Sequence, residues 1–236
     1  MPGLNDSGSK HRADSALSRI MVFAPHPDDD VLGCGGSIVK HRRKGRQVRV
    51  VYLTSGEAGS PGFHPGGLNR VREEEAARAL RVLDVTDPVF LGLPDGGIEI
   101  NALSLDAVVK LLRQERPEMI YLPHARDVHR DHLKTHELVL EACRRAAGPW
   151  HPQCGEQAWE VGWILAYEVW APLGEVNMVE DISPFIEIKI EAMRRHKSQL
   201  EHIAYDEGIR GLNRFRGISS GRGEYCECFQ VLKAAL

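Results

Sequence analysis

The sequence predicts an α/β protein: a Rossmann-like, mostly parallel sheet with helices on both faces. Two patterns predict it. From residue 19 to residue 147, short β-branched and aromatic runs alternate with stretches of helical spacing, the order that builds βαβ units around a covered parallel sheet. Polar or glycine-rich turns follow Ala24, Thr54, Leu93 and Leu122, and in such sheets functional residues gather beyond the carboxyl ends of the strands. Of the 236 residues, 42% are hydrophobic and 27% charged, a balance that supports a buried core and excludes disordered, collagen-like and coiled-coil classes.

The first strand is Ile20-Met21-Val22-Phe23-Ala24. The turn Pro25-His26-Pro27-Asp28-Asp29-Asp30 leads from it into a helix from Val31 to about Lys44, opened by Gly33-Cys34-Gly35-Gly36-Ser37 and closed by a basic turn before Gly45. Residues 48–54 form a second strand running into a long glycine-rich loop. Residues 70–83 carry apolar positions at helical spacing, Val89-Phe90-Leu91 is a short strand, 104–115 is helical, and Met119-Ile120-Tyr121-Leu122 is the fourth strand. The remainder is less regular. Residues 163–170 read as a strand, 184–202 as one long amphipathic helix begun by Ser183-Pro184, 206–223 as a Gly- and Arg-rich stretch, and 225–232 as a final strand. No repeat or linker divides the chain, so 19–236 reads as one domain behind a loose tail at 1–18.

Charge and cysteine usage exclude several classes. Lys plus Arg is 30 against 33 for Asp plus Glu, a net −3, so no general basic field invites nucleic acid. No apolar run approaches the roughly 20 residues of a membrane helix, and the polar start lacks the apolar core of a signal peptide. Five scattered cysteines do not make a disulfide framework. A cytoplasmic protein with reduced thiols is expected.

The strongest chemical signal is His26-Pro27-Asp28-Asp29-Asp30, directly after the first strand. A histidine with an aspartate three positions on can converge on one cation around a turn, and Asp28 must then project differently, free to address a water at that cation. Acidic helix caps explain one such aspartate, but not three beside a histidine. A second cluster, His124-Ala-Arg-Asp127-Val-His129-Arg-Asp131-His132, follows the fourth strand and offers ligands together with a carboxylate to orient an imidazole. In a common doubly wound order the first and fourth strands are neighbours across the switch point, so both loops meet at one crevice. His and Asp ligands suit Zn²⁺ and tolerate Fe²⁺, Mn²⁺ or Co²⁺; spacing alone does not choose the third ligand. Gly33 to Gly36 lacks the order of a nucleotide-binding loop and reads as close helix packing. Cys226 and Cys228, alternate residues of a strand, read as core thiols.

These motifs together resemble the PIG-L/LmbE-like family of metal-dependent N-deacetylases, over about residues 19–232. The family's P-H-P-D-D-E stands here as Pro25–Asp30, with Asp30 for the usual Glu. Its H-P-D-H stands as His129-Arg130-Asp131-His132, with Arg130 for the usual Pro. Weaker matches are Thr54-Ser-Gly-Glu57, Arg72-x-x-Glu75, Leu93-Pro-Asp95-Gly, His196-Lys-Ser-Gln199 and Tyr225-x-Glu227-x-Phe229. The resemblance implies an LmbE-like fold and a metal, Zn²⁺ or Fe²⁺, on His26, Asp29 and His132. It makes Asp28 the general base and His129 the group that stabilises the oxyanion or protonates the leaving amine. Asp131 would orient a catalytic histidine, and Glu57, Arg72 and Asp95 would contact substrate. The implied reaction removes the N-acetyl group from an N-acetylglucosamine-type sugar or conjugate, giving free amine and acetate, and a homo-oligomer is a further expectation from the resemblance.

N-acetylglucosaminyl malate, with its carboxylates on Arg72 or on Arg210, Arg214, Arg216 and Arg222, is one substrate reading; diacetylchitobiose and antibiotic intermediates are others. A non-catalytic sugar- or nucleotide-binding module would leave the His and Asp clusters idle. A phosphoesterase would be expected to carry a second carboxylate-rich metal cluster.

Overall fold

The computed structural model describes residues 18–59, 67–155 and 157–235. The expected tail at 1–18 lies outside the described residues except for Ser18, as does the part of the glycine-rich loop at 60–66. Seven strands form one sheet in the order β3-β2-β1-β4-β5-β7-β6. They are β1 (Arg19–Ala24), β2 (Gln47–Tyr52), β3 (Val89–Phe90), β4 (Met119–Pro123), β5 (Trp163–Tyr167), β6 (Met178–Asp181) and β7 (Cys226–Lys233). β1 pairs in parallel with β2 on one side and β4 on the other, and β7 runs antiparallel between β5 and β6. The order reverses between β1 and β4, which makes their carboxyl ends the switch point.

Period-two alternation sorts β1 between two cores. Ile20, Val22 and Ala24 face one layer with Val31, Ile38, Ala76, Leu80 and Ile190, from helices α1 (Asp29–Arg43), α2 (Leu68–Val82) and α5 (Ile186–Met193). Met21 and Phe23 face the other with Leu105, Val109, Leu112, Leu138 and Val139, from α3 (Ala102–Glu115) and α4 (Arg130–Ala146). Burial on both faces is why the central strands read as unbroken apolar runs.

The small residues of α1 answer a packing demand. A Cβ at Gly33 would lie 2.2 Å from the Tyr167 ring, and one at Gly36 would lie 2.7 Å from Ile182. The helix kinks at Cys34 (φ −145°, ψ 23°), freeing amides that its first turn would otherwise satisfy. Gly36 and Ser37 donate their N–H groups to Glu227, each at 2.8 Å, and buried Lys189 donates to the same carboxylate at 2.7 Å. Glu227 therefore caps the second half of the helix from across the sheet. Its neighbours Cys226 and Cys228 are both buried.

Two expectations need correction, and one stretch with no expected element gains one. The single helix over 184–202 is three pieces: a 3₁₀ turn at Ser183–Phe185, α5, and a short α6 (Lys197–Leu200). The chain breaks after Arg194 because Ser198 turns its N–H and hydroxyl onto Glu75 of α2, at 3.0 and 2.6 Å. The Gly- and Arg-rich stretch is a regular helix, α7 (Tyr205–Ser220). Gly217 is required there, since a Cβ would meet Glu224 O at 2.3 Å, and its arginines find partners across the fold. The strand expected to reach Trp170 ends at Tyr167, because the 168–170 segment is drawn off the sheet: Glu168 takes the Leu173 N–H and Asp127 takes the Trp170 N–H. Strand β6 was not anticipated.

Candidate active site

The turn after β1 is pinned by Thr54, whose hydroxyl donates to Pro25 O at 2.9 Å. It delivers His26 and Asp29 to one point: His26 Nδ1 lies 3.1 Å from Asp29 Oδ2. From the start of α4, His132 Nε2 approaches the same Asp29 Oδ2 at 3.2 Å. The loops after β1 and β4 thus meet at the switch point.

These three atoms fit a divalent cation on two grounds. His132 is fully buried, yet neither ring nitrogen forms a hydrogen bond; Nε2 is close to Asp29 without donating to it, the relation of two groups aimed at a common third. Two imidazoles and a carboxylate are also the donor set of open, three-ligand zinc sites. The outer nitrogens are held by carboxylates. His26 Nε2 faces Asp131 Oδ2 at 3.2 Å and Asp95 Oδ1 at 3.1 Å, and His132 Nδ1 faces Asp127 Oδ2 at 3.4 Å. Such partners fix which ring nitrogen is left for a metal.

The electrostatics agree. Burial opposes charge on His26, yet bonds to Asp131, Asp29 and Asp95 hold its pKa well above the ordinary value. Burial likewise opposes, and Asp29 and Asp127 overcome, a rise of His132 to about 9. Asp29, although buried, is held far below the usual carboxylate range by both histidines. The field draws positive charge to this point, whether as ring protons or as a cation.

Asp28 stands beside this group in a conformation that favours glycine, φ 144° and ψ −25°. Burial, partly offset by the Arg72 guanidinium at 3.2 Å, pushes its pKa up to about 7. His129 caps α4, and its Nδ1 accepts the Asp131 N–H at 3.2 Å; that bond leaves Nε2 to carry the proton. Burial and the neighbouring His26 and His132 lower its pKa, so neutral His129 is an N–H donor.

The remaining expected site residues divide by contact. The Asp131 carboxylate rests on His26 and on the Gly96 and Ile98 amides, while only its backbone touches His129. Arg72 is buried, donating to Gly56 O and Pro27 O as well as pairing with Asp28. Glu57 accepts the Asp95 N–H, and Asp95 accepts the Ala58 N–H, a reciprocal clamp between two loops. A cavity of about 160 Å³ is lined by His26, Asp28, Asp29, Gly59, Arg72, Asp95, His129, Trp170, Gln199 and Tyr205; Glu57 and Asp30 are not among them.

Asp127, Trp170, Gln199 and Tyr205 were not assigned from the sequence. Asp127 lay in plain view within the second cluster, and its buried position under His132 is the missing information. The other three come from segments far along the chain, and only folding brings them to the crevice. Of the arginines once considered for a carboxylate, Arg210 pairs with Glu187, Arg216 with Glu168, and Arg214 donates to Glu224 O.

A doubly wound sheet with a His₂Asp cluster and an adjacent carboxylate at its switch point defines the class as a metallohydrolase-type α/β protein. The PIG-L profile, described as GlcNAc-PI de-N-acetylase, matches residues 21–143, more than half of the chain, and the chain belongs to that family. A probable N-acetyl-α-D-glucosaminyl L-malate deacetylase 2 of Bacillus subtilis is 29% identical over 192 residues, covering 77% of this chain and 83% of that protein. The N,N′-diacetylchitobiose deacetylase of Pyrococcus horikoshii has a TM-score of 0.84 at 25% identity, over 92% of this chain and 85% of that one. GalB, a 4-carboxy-2-hydroxymuconate hydratase of Pseudomonas putida, has a TM-score of 0.83 at 22% identity, over 93% and 98%. Because one fold carries both names, function must be argued from the site.

Proposed function

We propose that this chain is a metal-dependent N-deacetylase that hydrolyses the acetamide of an N-acetylglucosamine-type sugar or conjugate to a free amine and acetate. The observation that carries the reading is the convergence of His26 Nδ1 and His132 Nε2 on Asp29 Oδ2, at the wall of a cavity that His26, Asp28 and Asp29 line. Membership of the PIG-L family and the printed activities of the deacetylase relatives support it. The metal, taken to be Zn²⁺ with Fe²⁺ as the main alternative, would be held by His26, Asp29 and His132. When bound it supplies a Lewis acid for the acetamide carbonyl and lowers the pKa of the attacking water.

The chain's own residues do the rest. Asp28, with a pKa near neutrality, accepts the proton of the water as it attacks the carbonyl carbon. Arg72 fixes that carboxylate and limits its swing. Negative charge grows on the carbonyl oxygen, and the N–H of neutral His129 stabilises it; removal of one such donor costs about 3–4 kcal/mol elsewhere. The C–N bond breaks as the proton that Asp28 took from the water is passed to the nitrogen, so the amine leaves neutral and Asp28 returns to its carboxylate form. Asp131, Asp95 and Asp127 orient the metal-holding imidazoles. The working unit in this reading is one domain over 19–236 in the cytoplasm, acting on a small amino-sugar substrate; self-association is part of the proposal only as a possibility of the family resemblance. No helix among the described residues is long and apolar enough to cross a membrane.

The test combines metal analysis with amine release from N-acetylglucosamine, diacetylchitobiose and N-acetylglucosaminyl malate. About one equivalent of metal with chelator-sensitive release is expected. Bound metal without release from any of the three would sink the substrate class, and release that survives complete chelation would sink the metal.

A further inference from the structure

Part of the cavity lining takes no role in the chemistry above. Trp170 and Tyr205 meet edge to face, their ring centroids 5.4 Å apart at 65°, and both line the cavity with Gln199. Trp170 is 41% exposed, a large apolar side chain left open beside the reacting groups. Its backbone is nevertheless tied down: the Trp170 main-chain N–H donates at 3.1 Å to Asp127 Oδ2, the oxygen that also lies 3.4 Å from His132 Nδ1. The segment that carries the indole is thus linked through Asp127 to the histidine proposed to hold the metal.

The polar tips of this wall are free. Among the described residues neither the Trp170 indole N–H nor the Tyr205 hydroxyl has a protein partner. The Gln199 amide nitrogen donates to Ser198 Oγ at 3.2 Å, leaving its carbonyl oxygen as an acceptor. Flat apolar rings with unpaired donors and an acceptor at the rim match a molecule with a C–H face and a hydroxyl edge, which is a pyranose. A wholly apolar group would leave those polar tips unpaired. An anionic group would find Arg72 already committed to Gly56 O, Pro27 O and Asp28.

We propose that Trp170, braced by Tyr205, is the sugar-selecting residue: its indole packs on the C–H face of the pyranose whose acetamido group reaches Asp28, so the site selects a pyranoside over an acyclic acetamide. This rests on the deacetylase reading and adds its substrate discrimination. Trp170 performs no proton transfer, so its loss moves binding rather than turnover.

The experiment compares wild type with Trp170→Phe and Trp170→Leu, metal-loaded, using methyl N-acetylglucosaminide and N-acetylethanolamine as probes for hydrolysis and for equilibrium binding. Trp170→Leu, which keeps an apolar side chain but removes the aromatic face, should raise KM and Kd for the glycoside about tenfold, with kcat nearly unchanged. Trp170→Phe should stay within about threefold, and neither variant should alter the acyclic probe. Equal losses on both probes, a fall confined to kcat, or no loss on the glycoside overturns the proposal. Glycoside binding that Trp170→Leu weakens, in a wild type that releases no amine, supports the stacking role while removing the deacetylase reading. Hydrolysis of the glycoside by the wild type with no sensitivity to Trp170 does the reverse.

Discussion

At Asp28 the backbone adopts φ 144°, a region where a side chain costs on the order of 1–3 kcal/mol. The strain lets adjacent aspartates diverge: Asp29 turns to the two histidines while Asp28 turns to Arg72 and the cavity. A relaxed helical start would aim them only about 100° apart with no such choice of direction. Replacing Asp28 by Asn should therefore lower amine release about 10²- to 10⁴-fold while metal content stays at the wild-type level; loss of metal together with activity would reassign Asp28 to the ligand set. Asp127 makes a different prediction. Asp127→Asn keeps the shape but weakens the hold on His132 Nδ1, and metal affinity should fall about 10- to 100-fold in a competition titration. Unchanged affinity would show that His132 is oriented by packing alone. At this scale the sequence displayed His26 with Asp29 because short spacing within a turn constrains them, while His132 was one of several candidates in the second cluster and was singled out only by the family resemblance. It did not display Asp127's function, since which imidazole a carboxylate meets depends on the fold.

Helix α1 demonstrates how an element can look irregular in sequence and be built for its place. Gly33 and Gly36 allow the helix to touch Tyr167 and Ile182, and the kink at Cys34 turns the Gly36 and Ser37 amides toward Glu227. Lys189 completes a fully buried ion pair. Replacing Glu227 by Gln should destabilise the protein by about 3–5 kcal/mol, because it strands the Lys189 charge in the core; chemical denaturation measures this, and a loss below about 1 kcal/mol would mean that the pair is solvated or replaceable. The double change Glu227→Gln with Lys189→Met should recover much of it. The same physics explains the misread helix over 184–202. Its apolar period is real, but Glu75 captures Ser198 and ends the run. A contact 123 residues distant leaves no mark on local periodicity. In α7, too, low helix propensity from glycine is overridden by packing at Gly217 and by the ion pairs of Arg210 and Arg216.

Across the whole molecule the two cores clamp a sheet whose strand order reverses between β1 and β4, and this puts both His and Asp clusters at one crevice. The C-terminal segments then close it, bringing His196 to full burial. Burial, reinforced by the charge of Arg72, lowers the His196 pKa to about 3, against about 6.5 in an unfolded chain. The folded pKa is depressed, so the unfolded chain binds the extra proton below about 6.5. Stability from neutral His196 is thus present above about pH 6.5 and lost as pH falls toward 3. Measured against His196→Leu, the wild type should lose up to about 1.4 kcal/mol per pH unit between about pH 6 and 4, and differ by a constant above pH 7. A difference independent of pH would place this imidazole in contact with solvent. The sequence by itself determined the α/β class, the parallel core of the sheet, the two clusters and their meeting, because strand periodicity and short-range turn geometry are local and the switch point follows from strand order. Only the tertiary structure decided that Asp131 serves His26, that Glu57 clamps a loop, and that Trp170, Gln199 and Tyr205 enter the cavity. Those relations join segments separated by tens to more than a hundred residues, and their partners are chosen by packing of the whole chain rather than by any pattern along it.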